Sequence, residues 1–225
     1  EVNTAKGKID AATNNADVES AKKTGVDNIN NVNVPATSAT KDAAKNAIDQ
    51  AAKAKNDAID ASNLTAEEKA DLKKQVSDEV NTAKGKIDAA TNNADVKTAQ
   101  TNGEKAINAV EIPTSSKTKN DANSDLDTTA DAAKKAIDKT SGLTADQKQA
   151  AKDQIDQAVT AAKKAIDKAD SNADVTKAIN NGTVAIDKVS ANAAIDGALA
   201  EKNNSIDTAP NLTDEEKKAV KGQAK

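Results

Sequence analysis

The chain has 225 residues, a net charge of −4 and no Cys, His, Met, Trp, Tyr or Phe, and every basic residue is lysine. That composition removes the usual neutral-pH general base, the strongest thiol nucleophile and the leading transition-metal ligands. It also removes aromatics that stack on bases, offers no basic patch for nucleic acid, and contains no apolar run near the ~20 residues of a membrane span.

Ala supplies 48 residues, which leaves Val, Ile and Leu at about 15% of the chain, below the ~20% at which disorder becomes common. Helical spacing of the apolar residues and the low net charge argue for folding, since Ala is the best helix former. Zero Cys excludes a disulfide framework. Residues 1–18, EVNTAKGKIDAATNNADV, recur identically at 79–96 and in diverged form at 158–175. The chain therefore opens inside one helix of a repeating unit.

A second helix follows each NADV segment, with Asp17, Asp95 and Asp174 as expected N-caps. Its apolar stripe in the second copy is Val96, Ala99, Gly103, Ile107 and Val110. Gly25, Gly103 and Gly182 recur inside this helix at a cost of about 1 kcal/mol each relative to Ala. We read them as points of close backbone approach to a neighbouring helix. Val32-Asn33-Val34-Pro35 and Val110-Glu111-Ile112-Pro113 are then extended, because proline disfavours helix in the residue before it. A third helix follows from about 38 to 61, with Ala44, Ile48, Ala52 and Ile59 inward. Its second copy turns Ala122, Leu126, Ala130, Ala133 and Ile137 inward.

Asn63, Gly142 and Asn211 close that helix in the three copies. Asn and Gly best tolerate the left-handed conformation that ends a helix, so a tight C-cap turn is expected, with Leu64 packing back on Ile59. The markers LTAEEK (64–69), LTADQK (143–148) and LTDEEK (212–217) come next. Thr65 with Glu68, Thr144 with Gln147 and Thr213 with Glu216 have capping-box spacing. The first helix of the unit then runs from about 66 to 91 along the stripe Leu72, Val76, Val80, Ala83, Ile87 and Ala90. The last unit differs. Val32 to Ile48 spans 16 residues, whereas Val189 to Ile195 spans 6. The V-x-V-P element is missing there, and the third helix should be about two turns shorter.

The expected fold is all-α, a tandem array of three-helix-bundle repeats forming an elongated rod. The sequence periods are 1–62 (first helix truncated at its start), 63–141, 142–210 (third helix shortened) and 211–225 (start of a further first helix). A bundle could group helices 1-2-3, or helix 3 with the following helices 1 and 2. Three-residue connections through Asn63 and Gly142 should hold the rod's direction, with each unit touching only its neighbours.

The pattern carried by Ala133, Ile137, Leu143, Thr144, Lys148, Ile155, Ala162, Ile166, Ala169, Asn172, Ala173, Asp174, Val175 and Gly182 resembles one repeat family. It is the domain of unknown function numbered fifteen forty-two, found in long arrays in cell-wall-anchored proteins of Gram-positive bacteria. The resemblance implies an extracellular, wall-attached protein linked to adhesion or biofilm, with its anchor and targeting signals outside this fragment. It supplies no catalytic residues.

The functional expectation is a monomeric structural stalk that projects a distal binding region, with neighbouring repeats as its contacts. The alternative is a module of low-to-moderate affinity for a host protein or for another copy of itself, although the Trp, Tyr and Arg that enrich binding hot spots are missing. Neither cofactor nor metal nor catalytic residue is expected. Asp121, Asp125 and Asp127 are the most clustered carboxylates, and they lack the Gly and bidentate Glu of a calcium loop.

Overall fold

The computed structural model describes residues 1–224. The described residues form helices only: α1 (Val2–Asp10), α2 (Asn15–Asn30), α3 (Ala39–Asp60), α4 (Ala66–Ala89), α5 (Asn93–Ala109), α6 (Lys117–Lys139), α7 (Ala145–Asp167), α8 (Asn172–Asp207) and α9 (Asp214–Gln223). α1 and α2 make a hairpin, α3–α4–α5 and α6–α7–α8 make two three-helix bundles, and α9 lies on α8. Each bundle thus takes the third helix of one sequence period with the first two helices of the next. Its frame straddles the boundaries 62/63 and 141/142.

Each core is a thin column of single aliphatic layers. Ile48, Ile59, Val76, Ile87, Val96 and Ile107 fill the first bundle, with Ala44, Ala52 and Ala83 between them. Leu126, Ile137, Ile155, Ile166, Val175 and Ile186 fill the second. Small Ala layers let the helices approach closely, and glycine takes this furthest. A Cβ added at Gly103 would lie 2.4 Å from Ala83 Cβ and 2.7 Å from Ile48 Cδ1, and one at Gly182 would lie 2.5 Å from Ala162 Cβ. The array exposes 14342 Å². A compact monomer of 23.1 kDa would expose roughly 9,700 Å², so the molecule is elongated.

Three features differ from the sequence reading. The second helices start three residues earlier than their Asp residues suggest. Asn14, Asn92 and Ser171 are the N-caps, accepting from the amides of Asp17, Asp95 and Asp174. Those carboxylates sit at N3, where they meet the positive helix end and accept from the cap side chains. Second, the last third helix is not a short separate element. It fuses with the second helix before it into the 36-residue α8. Without a counterpart of Pro35 or Pro113, the Ala-rich stretch 189–199 continues the i→i−4 ladder without a break. Third, Asn63 and Asn211 do not adopt the left-handed conformation; among the described residues only Gly142 has positive φ, at +81°.

Lysine ammoniums from adjacent helices satisfy the open carbonyls in place of left-handed caps. Lys69, Lys148 and Lys217, the last residue of each LTxEEK-type marker, donate to the carbonyls of Asp60, Asp138 and Asp207 at 3.0, 2.8 and 3.1 Å. Lys55 donates to Asn108 O and Val110 O at the end of α5. A cation at a helix C-terminus both completes hydrogen bonds and opposes the macrodipole. Ion pairs repeat with the period as well: Lys84–Asp49 and Lys163–Asp127 each span 2.7 Å between equivalent helices.

Candidate functional site: the junction between bundles

The most elaborate polar construction lies where the first bundle meets the second. The α3–α4 turn is driven into the end of the second bundle, so that Leu64 is 4% exposed and Thr65 0%. Thr65 closes a capping box with Glu68: its Oγ1 accepts from Glu68 N at 3.4 Å, and its amide donates to Glu68 Oε2 at 3.0 Å. Box formation leaves Glu68 Oε1 facing outward. There it accepts from Thr118 N at 3.1 Å, in the first turn of α6. One carboxylate thereby ties together the N-termini of two helices in different bundles, at the ends where negative charge is favoured.

Three further contacts complete the junction. Ala66 N donates to Asp170 O at 2.7 Å, and Asn172 N donates to Glu67 Oε2 at 2.8 Å. Lys119, only 6% exposed, donates to Asn63 Oδ1 at 3.1 Å and to Asp167 O, the C-terminal carbonyl of α7, at 2.8 Å. Asn63 Nδ2 reaches Asp167 Oδ1 at 3.3 Å. Asn63 is therefore a ligand of a buried ammonium, and its side chain explains its place better than its backbone does.

Burial pushes the Glu68 carboxyl up, but amide donors from Thr65 and Thr118, with the hydroxyls of Ser116 and Thr118, outweigh it and hold the pKa at about 2. A carboxyl depressed in the folded state gives stability that is full above its unfolded pKa, about 4.3, and is lost as pH falls through the folded value. We expect the junction to weaken between about pH 4.5 and 2. Glu68→Gln should keep the Thr65 cap and remove that acid-dependent step. Stability measured by urea unfolding from pH 7 to 2 checks this, and an unchanged pH profile in the variant would refute it.

The other expected cap residues stand in different surroundings. Thr144 and Gln147 form the same box, with Gln147 Oε1 accepting from Thr144 N at 2.9 Å, but they are exposed. The α6–α7 turn there lies against the side of the continuous α8. A Cβ at Gly142 would be 2.3 Å from Gly197 O, and one at Gly197 would be 2.5 Å from Ser141 O. Gly142 is thus needed twice, for its φ and for this contact. Asn211, with Thr213 and Glu216 behind it, is exposed. Asp121, Asp125 and Asp127 form no common site: Asp121 pairs with Lys117 at 2.5 Å and Asp127 with Lys163. Among the described residues no group of three or more carboxylates is placed to hold a metal ion.

The chain matches the family described as Domain of Unknown Function (DUF1542) four times, over residues 1–37, 40–115, 118–193 and 187–225. It belongs to the DUF1542 family. The first two gaps between matches fall at the N-caps of α3 and α6, so the family's boundaries agree with the bundle frame. The last two matches overlap inside α8, where two units share one helix. The chain is also 33% identical over 194 residues to "Extracellular matrix-binding protein ebh" of Staphylococcus aureus strain MW2. It is 33% identical over 189 residues to "Extracellular matrix-binding protein EbhA" of strain Newman. These alignments cover 80% of this chain but only 2% and 6% of those proteins. No solved structure matches the chain. Among the described residues no helix is long and apolar enough to cross a membrane.

Sequence reasoning missed Lys119 and Asn63 as partners. The available signal was Ser-x-x-Lys, which appears at Ser38/Lys41 and again at Ser116/Lys119, one period apart.

Proposed function

We propose that these repeats are a stiff spacer in a wall-anchored extracellular protein, holding a binding region away from the cell. The docked junction carries this reading. A flexible tether would join its modules by a solvated linker, whereas here a buried ammonium, a shared carboxylate and two backbone amides fix one bundle on the next. Such contacts with the nearest neighbour only are the energetic pattern of a repeat rod. The Lys-, Asp-, Asn- and Thr-rich exterior keeps a long rod soluble.

The test is length against repeat number. In chains with one, two and three added copies of residues 40–117, the largest dimension from solution scattering should rise by a constant increment per copy. A rise closer to the square root of copy number would mark jointed beads and sink the proposal.

A second reading is supported by the printed names of the relatives, which are matrix-binding proteins. On that reading helix faces of the repeats contact a matrix component directly, and the rod itself is adhesive. Surface-captured repeats titrated with purified matrix proteins decide between the two. Saturable binding tighter than about 1 μM supports direct adhesion, and its absence leaves the spacer role.

A further inference from the structure

Beside the polar contacts of the docked junction runs an open cleft of about 550 Å³. The starts of α4 and α6 and the segment leading into α6 wall it, so both complete bundles contribute. Its floor is apolar, with Leu72 half-buried and Pro113 exposed. Its rim is acidic: Glu67, Glu68, Asp71 and Asp121 line it with a single ammonium, that of Lys117.

Those charges are not equally engaged. Glu68 is held by Thr65 and Thr118, and Lys117 pairs with Asp121. Glu67 gives one oxygen to Asn172 N. Asp71 is exposed and pairs with no lysine among the described residues. Glu67 and Asp71 are four residues apart on α4, a like-charge spacing that costs helix stability and that a cation relieves. Asn172 also lines the cleft, and its Oδ1 is buried without a hydrogen-bond partner; an orphaned acceptor favours an incoming N–H donor.

The fused junction provides a comparison within the same chain. Asp146, Gln147, Ala150 and Ala151 stand there in place of Glu67, Glu68, Asp71 and Leu72. The cleft beside them is about 180 Å³, and one carboxylate, Asp196, lines it.

We propose that the docked-junction cleft binds an arginine or lysine side chain presented by a basic peptide segment. The aliphatic stem lies on Leu72 and Pro113, and the cationic head meets Asp71 and Glu67. Long basic side chains combine an apolar stem with a charged tip, which is the pairing of floor and rim found here. The inference rests on the adhesive reading for its partner, and narrows that partner to one with an exposed basic segment.

Titration of the 225-residue chain with the capped hexapeptide Gly-Arg-Gly-Arg-Gly-Arg, followed by amide NMR at physiological ionic strength, tests this. Saturable binding of one peptide per chain is expected, with shifts at residues 67–72 and 117–121 and none at 146–151. Asp71→Asn should weaken binding about fivefold or more. Asp131→Asn removes the same charge from an exposed α6 position outside the cleft and should change it less than about twofold. Failure to saturate below about 1 mM, or equal losses in the two variants, overturns the proposal. The adhesive reading is scored separately, by capture of purified matrix proteins. Full capture by the Asp71→Asn chain would overturn this site and leave adhesion standing. Peptide binding at the cleft without capture of any matrix protein would keep the site and remove the adhesive reading.

Discussion

Gly103→Ala is expected to destabilise the first bundle by about 2 kcal/mol, although alanine is better than glycine in a helix by about 1 kcal/mol. The sign is decided by space. The added methyl would meet Ala83 Cβ at 2.4 Å and Ile48 Cδ1 at 2.7 Å, and both groups belong to a core in which Ile48 is 0% and Ala83 2% exposed. α4 and α5 must separate to admit it, which loosens contacts along the whole seam. Two companions make the test specific. Gly85→Ala, where nothing lies within 4 Å of the added carbon, should stabilise by about 0.5–1 kcal/mol. Ala83→Gly in the Gly103→Ala background should restore part of the loss, giving a coupling of about 1 kcal/mol or more in a double-mutant cycle. Urea unfolding reads all three.

Ile107→Ala should cost about 3–4 kcal/mol. Ile107 is fully buried among α3 and α4 side chains, and the thin Ala-rich column has few large neighbours to collapse into the cavity. Ile29 is its sequence equivalent, one 78-residue period earlier, and is 43% exposed. Ile29→Ala should cost less than about 1 kcal/mol in the monomer. The same residue at equivalent helix positions with different burial makes this pair an internal control, because the change in helix propensity is common to both and packing is what differs. Equal losses at the two sites would mean that the hairpin and the bundle bury this position alike.

Local chemistry made much of the fold legible. Thr65 and Glu68 announce a helix start because a capping box is a contact over three residues, and Ile48, Ala52 and Ile59 announce a buried face because helical period is a local property. Gly103 was legible as a close approach, since a mid-helix glycine needs a reason. The junction was less legible. Lys119 and Asn63 are 56 residues apart, and Lys119 and Asp167 are 48 apart; no periodicity reveals such a pairing. Asn63 invited a backbone reading because asparagine and glycine alternate at its position. The structure shows two local solutions instead: an amide that reaches a buried lysine where a bundle starts anew, and a glycine that lies on a continuous helix where it does not. The long α8 followed from a missing proline, a deletion visible in the sequence whose consequence depended on what the remaining residues prefer.

The two junctions also predict different mechanics. The docked junction is held by polar contacts around one carboxylate and one ammonium, while the fused junction shares a helix of 36 residues. Acid should therefore loosen the first, through Glu68, before the second.

End-to-end stacking of the units as a stiff rod would fix the length of the molecule. Small-angle scattering of the 225-residue chain at dilute concentration tests it most directly. Two bundles of about 35 Å with the projecting half of α8 and the hairpin give a length of roughly 100 Å. The predicted radius of gyration is therefore about 30 Å, with a pair-distance distribution peaked at the bundle width and tailing linearly. A value near 17 Å, that of a compact domain of this length, would contradict end-to-end stacking.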